Sequence, residues 1–130
     1  SIQDRGTITI YDPNLFIKNY GYPNMKLVKR KFFPITNVDT ADVLIGLLPC
    51  GSSSIIIKSA LKHDKDFMIA LCDSCNRLEF FDGYDDDPNW PNNFIEQTRS
   101  AVEESNLGKL KVKYIKEVGK NYPIIYNDRG

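Results

Sequence analysis

Two apolar runs separated by a helical pattern constrain the fold of this chain more than any other feature. The runs are VLIGLL (Val43–Leu48) and FMIAL (Phe67–Leu71). A strand with one wet face alternates apolar and polar residues, whereas continuous runs of this length favour strands covered on both faces, as in parallel sheets. The pattern therefore predicts two adjacent, buried strands.

The segment between the two runs predicts a helix from Ser53 to Lys62. Its apolar residues stand at i, i+1, i+4 and i+5, which places them on one helical face. Strands joined by a single helical crossover should be parallel, with a right-handed connection. His63 should then lie at the end of the helix away from the strand tips. The apolar residues of the helix are Ile56, Ile57, Ala60 and Leu61.

Small polar residues follow both runs. In open α/β sheets, ligands bind beyond the carboxyl ends of the strands. We therefore expect the functional edge of the molecule at these two strand tips. The residues that follow the first run are Pro49, Cys50, Gly51 and Ser52, and those that follow the second are Cys72, Asp73, Ser74 and Cys75.

The rest of the chain predicts further strands and one more long helix. The helix should run from Phe94 to about Ser105 with Asn92 or Asn93 as its cap, and Asn106-Leu107-Gly108 should end it. A short helix is expected at Leu15–Tyr20. The predicted strands are Thr7–Tyr11, Met25–Phe33, Leu110–Val118 and Pro123–Tyr126, and the last two should form an antiparallel hairpin.

These elements predict one α/β domain spanning residues 1–130. We expect a small Rossmann-like sheet, mostly parallel, with helices on its faces and a C-terminal antiparallel hairpin. No apolar run approaches the roughly 18 residues that a membrane helix needs. No signal peptide is visible and the three cysteines are an odd number, so we expect a reducing, cytoplasmic location. The net charge of zero argues against a generic nucleic-acid binder, although a local basic strip leaves nucleic acid open as a partner.

The order of the predicted elements resembles a known fold. Asp12 follows the strand TITIY, Asp39 follows KFFPITNV, LLPCG spans Leu47–Gly51, and CDSC spans Cys72–Cys75. This succession is similar to the later part of the class I S-adenosylmethionine-dependent methyltransferase fold. The first strand and the Gly-rich turn of that family have no counterpart here. The resemblance is therefore to a truncated or degenerate member.

The resemblance implies a ligand and a set of contacts. In that family an acid at the end of the second strand holds the ribose hydroxyls, and Asp12 occupies the matching place. An acid or polar residue near the adenine often follows the third strand, as Asp39 does. The implied ligand is S-adenosylmethionine or another adenosine-type molecule, bound with or without turnover, and no catalytic residue is identified. The implied ligand-binding residues are Asp12, Asp39, Pro49, Gly51, Ser52 and Asp73.

The same residues have simpler interpretations. Asp12 before Pro13 is a good turn former, and Gly51–Ser54 is explained by helix capping as well as by anion binding. The three cysteines, Cys50, Cys72 and Cys75, suit a thiolate metal site or a redox pair. However, zinc sites usually take four ligands and His63 is predicted to be distant. No metal is therefore predicted.

An acidic segment with aromatic neighbours suggests a second function. Its spacing lacks the EF-hand calcium pattern, and a solvated loop explains the charges alone. Aromatic anchors beside acids also suit a contact surface for a basic protein partner, as in an immunity or inhibitor protein. The residues of this predicted surface, within 79–90, are Asp82, Tyr84, Asp85, Asp86, Asp87 and Trp90.

Overall fold

The structure is a computed structural model that describes residues 8–11, 25–28, 36–47, 53–71, 89, 91–117 and 120–130. The chain divides into two compact units, residues 1–33 and residues 34–130. Each unit has its own sheet.

The first unit contains a parallel pair of strands. Strand β1 (Ile8–Tyr11) pairs with β2 (Met25–Val28), and the register runs from Ile8 opposite Met25 to Tyr11 opposite Val28. Both strands fall within predicted ones. The remainder of those predicted strands and the predicted short helix at 15–20 lie outside the described residues.

The second unit is a four-stranded sheet with two described helices. Its strands stand in the order β3-β4-β6-β5. The elements are β3 (Val43–Leu47), α1 (Ser53–Lys62), β4 (Asp66–Ala70), α2 (Asn92–Glu104), β5 (Lys109–Glu117) and β6 (Lys120–Asp128).

The two apolar runs form neighbouring parallel strands. Leu44 stands opposite Phe67, and Leu47 stands opposite Ala70. Helix α1 connects the strands and has the predicted bounds. The central strand–helix–strand prediction is therefore confirmed.

The direction of the remaining strands corrects one prediction. Strand β6 lies between β4 and β5 and is antiparallel to both. One of the three pairings is parallel and two are antiparallel, so the prediction of a mostly parallel sheet is wrong. The local pattern identified the hairpin, whose short turn forces antiparallel pairing. It did not reveal that the second strand of the hairpin, rather than the first, pairs with β4.

Both described helices cover the same face of this sheet. Helix α1 packs on β3 and β4, α2 packs on β5, and the helices contact each other. Burial alternates along β3 and β4, because every second side chain points to the helices. The buried side chains of this core include Leu44, Ile57, Phe67, Ile69, Leu71, Phe94, Val102, Leu110 and Ile125.

The opposite face of the sheet exposes apolar side chains. Val43, Ile45 and Leu47 of β3 are 46%, 61% and 80% exposed, and Met68 of β4 is 42% exposed. The expectation that both runs are covered on both faces is therefore wrong. A continuous apolar run allows either face of a strand to be buried. Because α1 and α2 pack on one face of the sheet, only the side chains on that face are buried.

Helices α1 and α2 end in similar ways. Asp64 and Asn106 have φ angles of 56° and 61°. In α2, Leu107 N–H donates to the Val102 carbonyl at 3.1 Å, and the Leu107 side chain is buried. This matches a left-handed C-terminal cap with its apolar contact. The predicted ending of α2 is confirmed.

The start of α2 differs from the prediction. The helix begins at Asn92 and its N-cap residue is Pro91. Ile95 N–H donates to the Pro91 carbonyl at 3.0 Å, so Asn92 and Asn93 already belong to the helix. The predicted asparagine cap is therefore wrong. Pro91 lacks a backbone N–H that would need a partner and makes no side-chain cap hydrogen bond, so α2 starts without a side-chain cap.

The buried side chain of Asn127 ties three segments together. Its Oδ1 accepts from Phe67 N–H at 2.8 Å, and its Nδ2 donates to Asp66 Oδ1 at 2.8 Å and to the Leu107 carbonyl at 3.0 Å. Asn127 is only 8% exposed. The amide therefore links β6 to the start of β4 and to the loop after α2.

Gly108 allows that loop to approach β6. Its φ is 91°, and a Cβ at this position would overlap the Asp128 carbonyl group. A side chain would therefore separate the start of β5 from the end of β6.

We expect Asn127→Ala to lower the free energy of unfolding by about 3 kcal/mol. The substitution leaves the buried Phe67 N–H and the Leu107 carbonyl without this partner, at about 1–3 kcal/mol for each unsatisfied group. Urea unfolding measures the change. The control is Asn37→Ala, which removes only an exposed acceptor of the Asp39 N–H and should cost less than about 1 kcal/mol. Equal losses in the two variants would contradict the assigned role of Asn127.

Candidate functional site

The carboxyl ends of β3 and β4 meet at one edge of the sheet. Leu47 stands opposite Ala70 there, and Leu71 N–H donates to the Pro123 carbonyl at 2.9 Å. A helix of ten residues is about 15 Å long, which matches a five-residue strand. Because α1 ends just before β4 begins, its first residue, Ser53, lies at this same edge.

The first turn of α1 supplies polar groups to the edge. The first N–H groups of a helix have no partner within the helix, and its dipole favours negative charge there. Ser53 and Ser54 are 1% and 4% exposed. Within the described residues, the Ser53 hydroxyl has no hydrogen-bond partner, and the Ser59 hydroxyl further along α1 has none either. Position distinguishes the two serines, because only Ser53 lies at the strand tips.

Most of the sequence-predicted ligand residues lie outside the described residues. These residues are Asp12, Pro49, Gly51, Ser52 and Asp73, and their assignment stays a prediction. Four of them, Pro49, Gly51, Ser52 and Asp73, lie in the two segments that follow β3 and β4. The described residues nearest to these segments in sequence are Leu47, Ser53 and Leu71. All three of these flanking residues lie at the edge formed by the tips of β3 and β4.

Asp39 is the one predicted ligand residue that the structure describes. It precedes β3, its carboxylate lies 3.9 Å from His63 Nδ1, and its carbonyl accepts from Lys65 Nζ at 3.0 Å. His63 follows the last residue of α1, as predicted. The structure therefore places Asp39 with His63 and Lys65 and not with Ser53, which lies at the other end of β3.

The cysteines and the acidic surface lie outside the described residues. This applies to Cys50, Cys72 and Cys75 and to the predicted contact residues Asp82, Tyr84, Asp85, Asp86, Asp87 and Trp90. Where the structure describes the chain, three His, Cys, Asp or Glu side chains do not come together in a metal-binding arrangement. In the same ranges, neither helix has the length and apolar character that crossing a bilayer requires.

A charged cluster that the sequence did not reveal lies at the amino ends of β3 and β4. Arg129 Nε donates to Asp66 Oδ1 at 2.6 Å, Arg129 Nη1 to Asp64 Oδ1 at 3.2 Å, and Arg129 Nη2 to the Asp64 carbonyl at 3.2 Å. Asp64 and Asp66 follow α1 in a recognisable turn, but nothing in the local pattern pairs them with a residue sixty-three or more positions later. We call Asp64, Asp66, Asn127 and Arg129 the Arg129 cluster.

The Arg129 cluster has a structural explanation. Hydrogen bonds from Asn127 and then from Arg129 lower the pKa of Asp66 below its ordinary value of 3.8. The hydrogen bond to Asp66 raises the pKa of Arg129. These charges hold the end of β6 against the turn between α1 and β4. We therefore assign the Arg129 cluster a structural role in stabilising the sheet. The candidate ligand site is the edge at the tips of β3 and β4.

Comparison of the sequence with models of known protein families gave no match, and comparison with curated proteins gave none either.

We expect the coupling free energy between Asp66 and Arg129 to decrease at low pH. Because folding lowers the pKa of Asp66, its stabilising contribution is present above the ordinary value of 3.8 and is lost as pH falls through the lower folded value. The contribution should be small, since the two side chains are 48% and 42% exposed. A double-mutant cycle of Asp66→Asn and Arg129→Gln, followed by urea unfolding at pH 7 and pH 3, measures it. A coupling that is equal at both pH values would contradict this account.

Proposed function

We propose that this chain is a methyltransferase-like domain that binds S-adenosylmethionine or another adenosine-type ligand at the tips of β3 and β4. Binding is the function proposed, with or without turnover. One observation supports this proposal most directly. The parallel β3–α1–β4 unit brings two strand tips and the start of a helix to one edge, where the buried Ser53 hydroxyl has no partner among the described residues.

The chemistry of that edge suits an anionic group on a small ligand. Helix N-termini bind carboxylates and phosphates through free N–H groups and the helix dipole. S-adenosylmethionine carries a carboxylate, and adenine nucleotides carry phosphates. The Ser53 hydroxyl is both a donor and an acceptor, so it can hydrogen-bond either kind of group or a ligand hydroxyl.

The strand arrangement also supports the resemblance. Strands β3, β4 and β5 all run in one direction, because β6 is antiparallel to both β4 and β5. The terminal hairpin thus lies beside the strand–helix–strand unit, where the resemblance places the last strands of the methyltransferase sheet. The arrangement is compatible with that fold, and the activity itself remains part of the proposal.

The residues proposed to contact the ligand follow from this position. Residues of the two strand-tip segments are proposed to contact the ligand, and a role of Asp12 stays a prediction of the resemblance. Asp39 is assigned its contacts with His63 and Lys65 instead, because it lies at the other end of β3. The proposed strand-tip contacts are Pro49, Gly51, Ser52, Ser53 and Asp73.

Isothermal titration tests the proposal with S-adenosylmethionine, S-adenosylhomocysteine, ATP and adenosine. We expect at least one of them to bind, and Ser53→Ala to weaken binding by up to about tenfold, which corresponds to one lost hydrogen bond. Ser59→Ala is the matched control, since Ser59 is a buried serine of the same helix that lies away from the strand tips and likewise has no hydrogen-bond partner in the described part of the chain. It should leave the affinity unchanged. Absence of heat with all four ligands would remove the proposal.

A second candidate function is a protein-interaction module that uses the acidic segment 79–90 to bind a basic partner. Five acids lie within nine residues of this segment, beside Phe80, Phe81, Tyr84 and Trp90. The aromatic neighbours favour a contact surface over a merely solvated loop. Such a partner would bind independently of any adenosine-type ligand.

Fluorescence anisotropy with a lysine-rich synthetic peptide tests this second candidate. Wild type should bind the peptide, and the triple variant Asp85→Ala, Asp86→Ala, Asp87→Ala should bind it at least tenfold more weakly, because three carboxylates that attract the lysines are removed. A triple substitution of acids elsewhere, Glu96→Ala, Glu103→Ala and Glu104→Ala on α2, controls for net charge. Equal weakening by both variants would argue against a specific role for the acidic segment.

A further inference from the structure

The sheet of the second unit has one face without a helix among the described residues, which we call the open face. Its side chains are those that alternate with the buried ones along each strand. Most of the open face is apolar, and several of its large side chains are exposed at more than two-fifths of their surface. These strongly exposed residues are Val43, Ile45, Leu47, Met68 and Ile115.

The strand register aligns the side chains of the open face in rows that cross the sheet. One row reads Ile45, Met68, Tyr126 and Lys111 on β3, β4, β6 and β5, because neighbouring members are register partners. The next row reads Leu47, Ala70, Ile124 and Lys113 in the same way. Each row is apolar across three strands and ends in a lysine on the fourth.

The apolar part of the open face is large enough to hold a secondary-structure element. Its three strands, spaced about 4.8 Å apart, give a width of about 10 Å, and the five residues of β3 give a length of about 13 Å. Isolated exposed apolar residues are ordinary, but a contiguous apolar patch on a soluble domain marks a contact surface. The aligned rows make this patch contiguous.

The lysines of β5 define one border of the patch. Lys109 stands opposite Asp128, whereas Lys111 and Lys113 stand opposite Tyr126 and Ile124. Lys113 Nζ lies 5.8 Å from the centre of the Tyr126 ring. Neither Lys111 nor Lys113 stands directly opposite an acid, so this border of the patch attracts negative charge. Lysines also protect edge strands from aggregation, but that role does not account for the apolar rows beside them.

We propose that the open face docks an amphipathic helix of a partner protein, with an apolar stripe over β3, β4 and β6 and acidic side chains over Lys111 and Lys113. The opposite face of the same sheet is covered in this way, by α1 and α2. A helix is about 10 Å across, which fits the width of the apolar rows. Charge complementarity at the lysine border fixes the chemistry and orientation of the partner.

The composition of the open face favours a helix over single-stranded nucleic acid. Proteins that bind single strands stack the bases on aromatic side chains along a basic groove. Among the described side chains of the open face, only Tyr126 is aromatic, and the large exposed apolar side chains of β3 and β4 are aliphatic or methionine. Aliphatic rows pack against leucine and isoleucine of a helix but offer no stacking platform.

Synthetic helical peptides test this proposal by fluorescence anisotropy with the full chain. The first peptide has a leucine–isoleucine stripe with glutamates along one flank. The second has lysines in place of those glutamates, and the third is a scrambled version of the first without a continuous stripe. We expect the first peptide to bind at least tenfold more tightly than either of the others, since only it satisfies both the apolar rows and the lysine border.

Substitutions on the open face make the test specific. Ile45→Asp should weaken binding of the first peptide at least tenfold, and it should not disturb the core because Ile45 is 61% exposed. The double variant Lys111→Glu, Lys113→Glu should prefer the lysine-flanked peptide. Lys116→Glu is the control, because it replaces one lysine of β5 by glutamate on the face that bears the helices, and it should leave the preference between the two peptides unchanged. Circular dichroism confirms that each variant is folded.

Three outcomes would overturn the proposal. The first is equal binding of the amphipathic and scrambled peptides, or of wild type and Ile45→Asp. The second is tight binding of oligo-dT that is lost in the Lys111, Lys113 variant while no peptide binds, which would assign the face to nucleic acid. The third is a concentration-dependent dimer in analytical ultracentrifugation that Ile45→Asp abolishes, which would assign the face to a second copy of the chain.

Discussion

The parallel pairing of β3 with β4 is the constraint on which the second unit depends. Because both strands run in the same direction, the chain must return along the full length of the sheet between them, and α1 makes that return. The strand tips and the first turn of α1 consequently lie at one edge, and the turn after α1 lies at the other. The candidate ligand site and the Arg129 cluster therefore occupy opposite edges of the same sheet.

The second constraint is that α1 and α2 pack on the same face. This packing buries one set of alternating side chains and leaves the other set exposed, so a single apolar run contributes both to the core and to the open face. The insertion of β6 between β4 and β5 then extends the apolar rows to Ile124 and Tyr126 and places the lysines of β5 at their border. The edge at the tips of β3 and β4 and the open face are distinct surfaces. Binding of a ligand at that edge does not require a partner protein on the open face.

Long-range polar contacts hold this arrangement together. Asn127 joins the end of β6 to the start of β4 and to the loop after α2, and Arg129 joins it to the turn after α1. Gly108 permits the close approach of β5 to β6 at the same place. The hydrogen bonds link residues between 20 and 65 positions apart, and no local pattern predicts them. By contrast, the ending of α2 at Asn106-Leu107-Gly108 is a local signal that residue type alone predicts.

Local spacing by itself determined the strands, the bounds of α1, the ending of α2 and the terminal hairpin, because hydrophobic periodicity and turn residues act within about ten positions of the chain. It also determined that the two apolar runs are parallel neighbours, since one helix separates them. Only the tertiary structure decided that β6 inserts between β4 and β5, that both helices share one face, and that Asp39 contacts His63 and Lys65. Those outcomes depend on which surfaces from distant parts of the chain pack together. The energy of that packing comes from the whole fold, so local sequence patterns do not predict it.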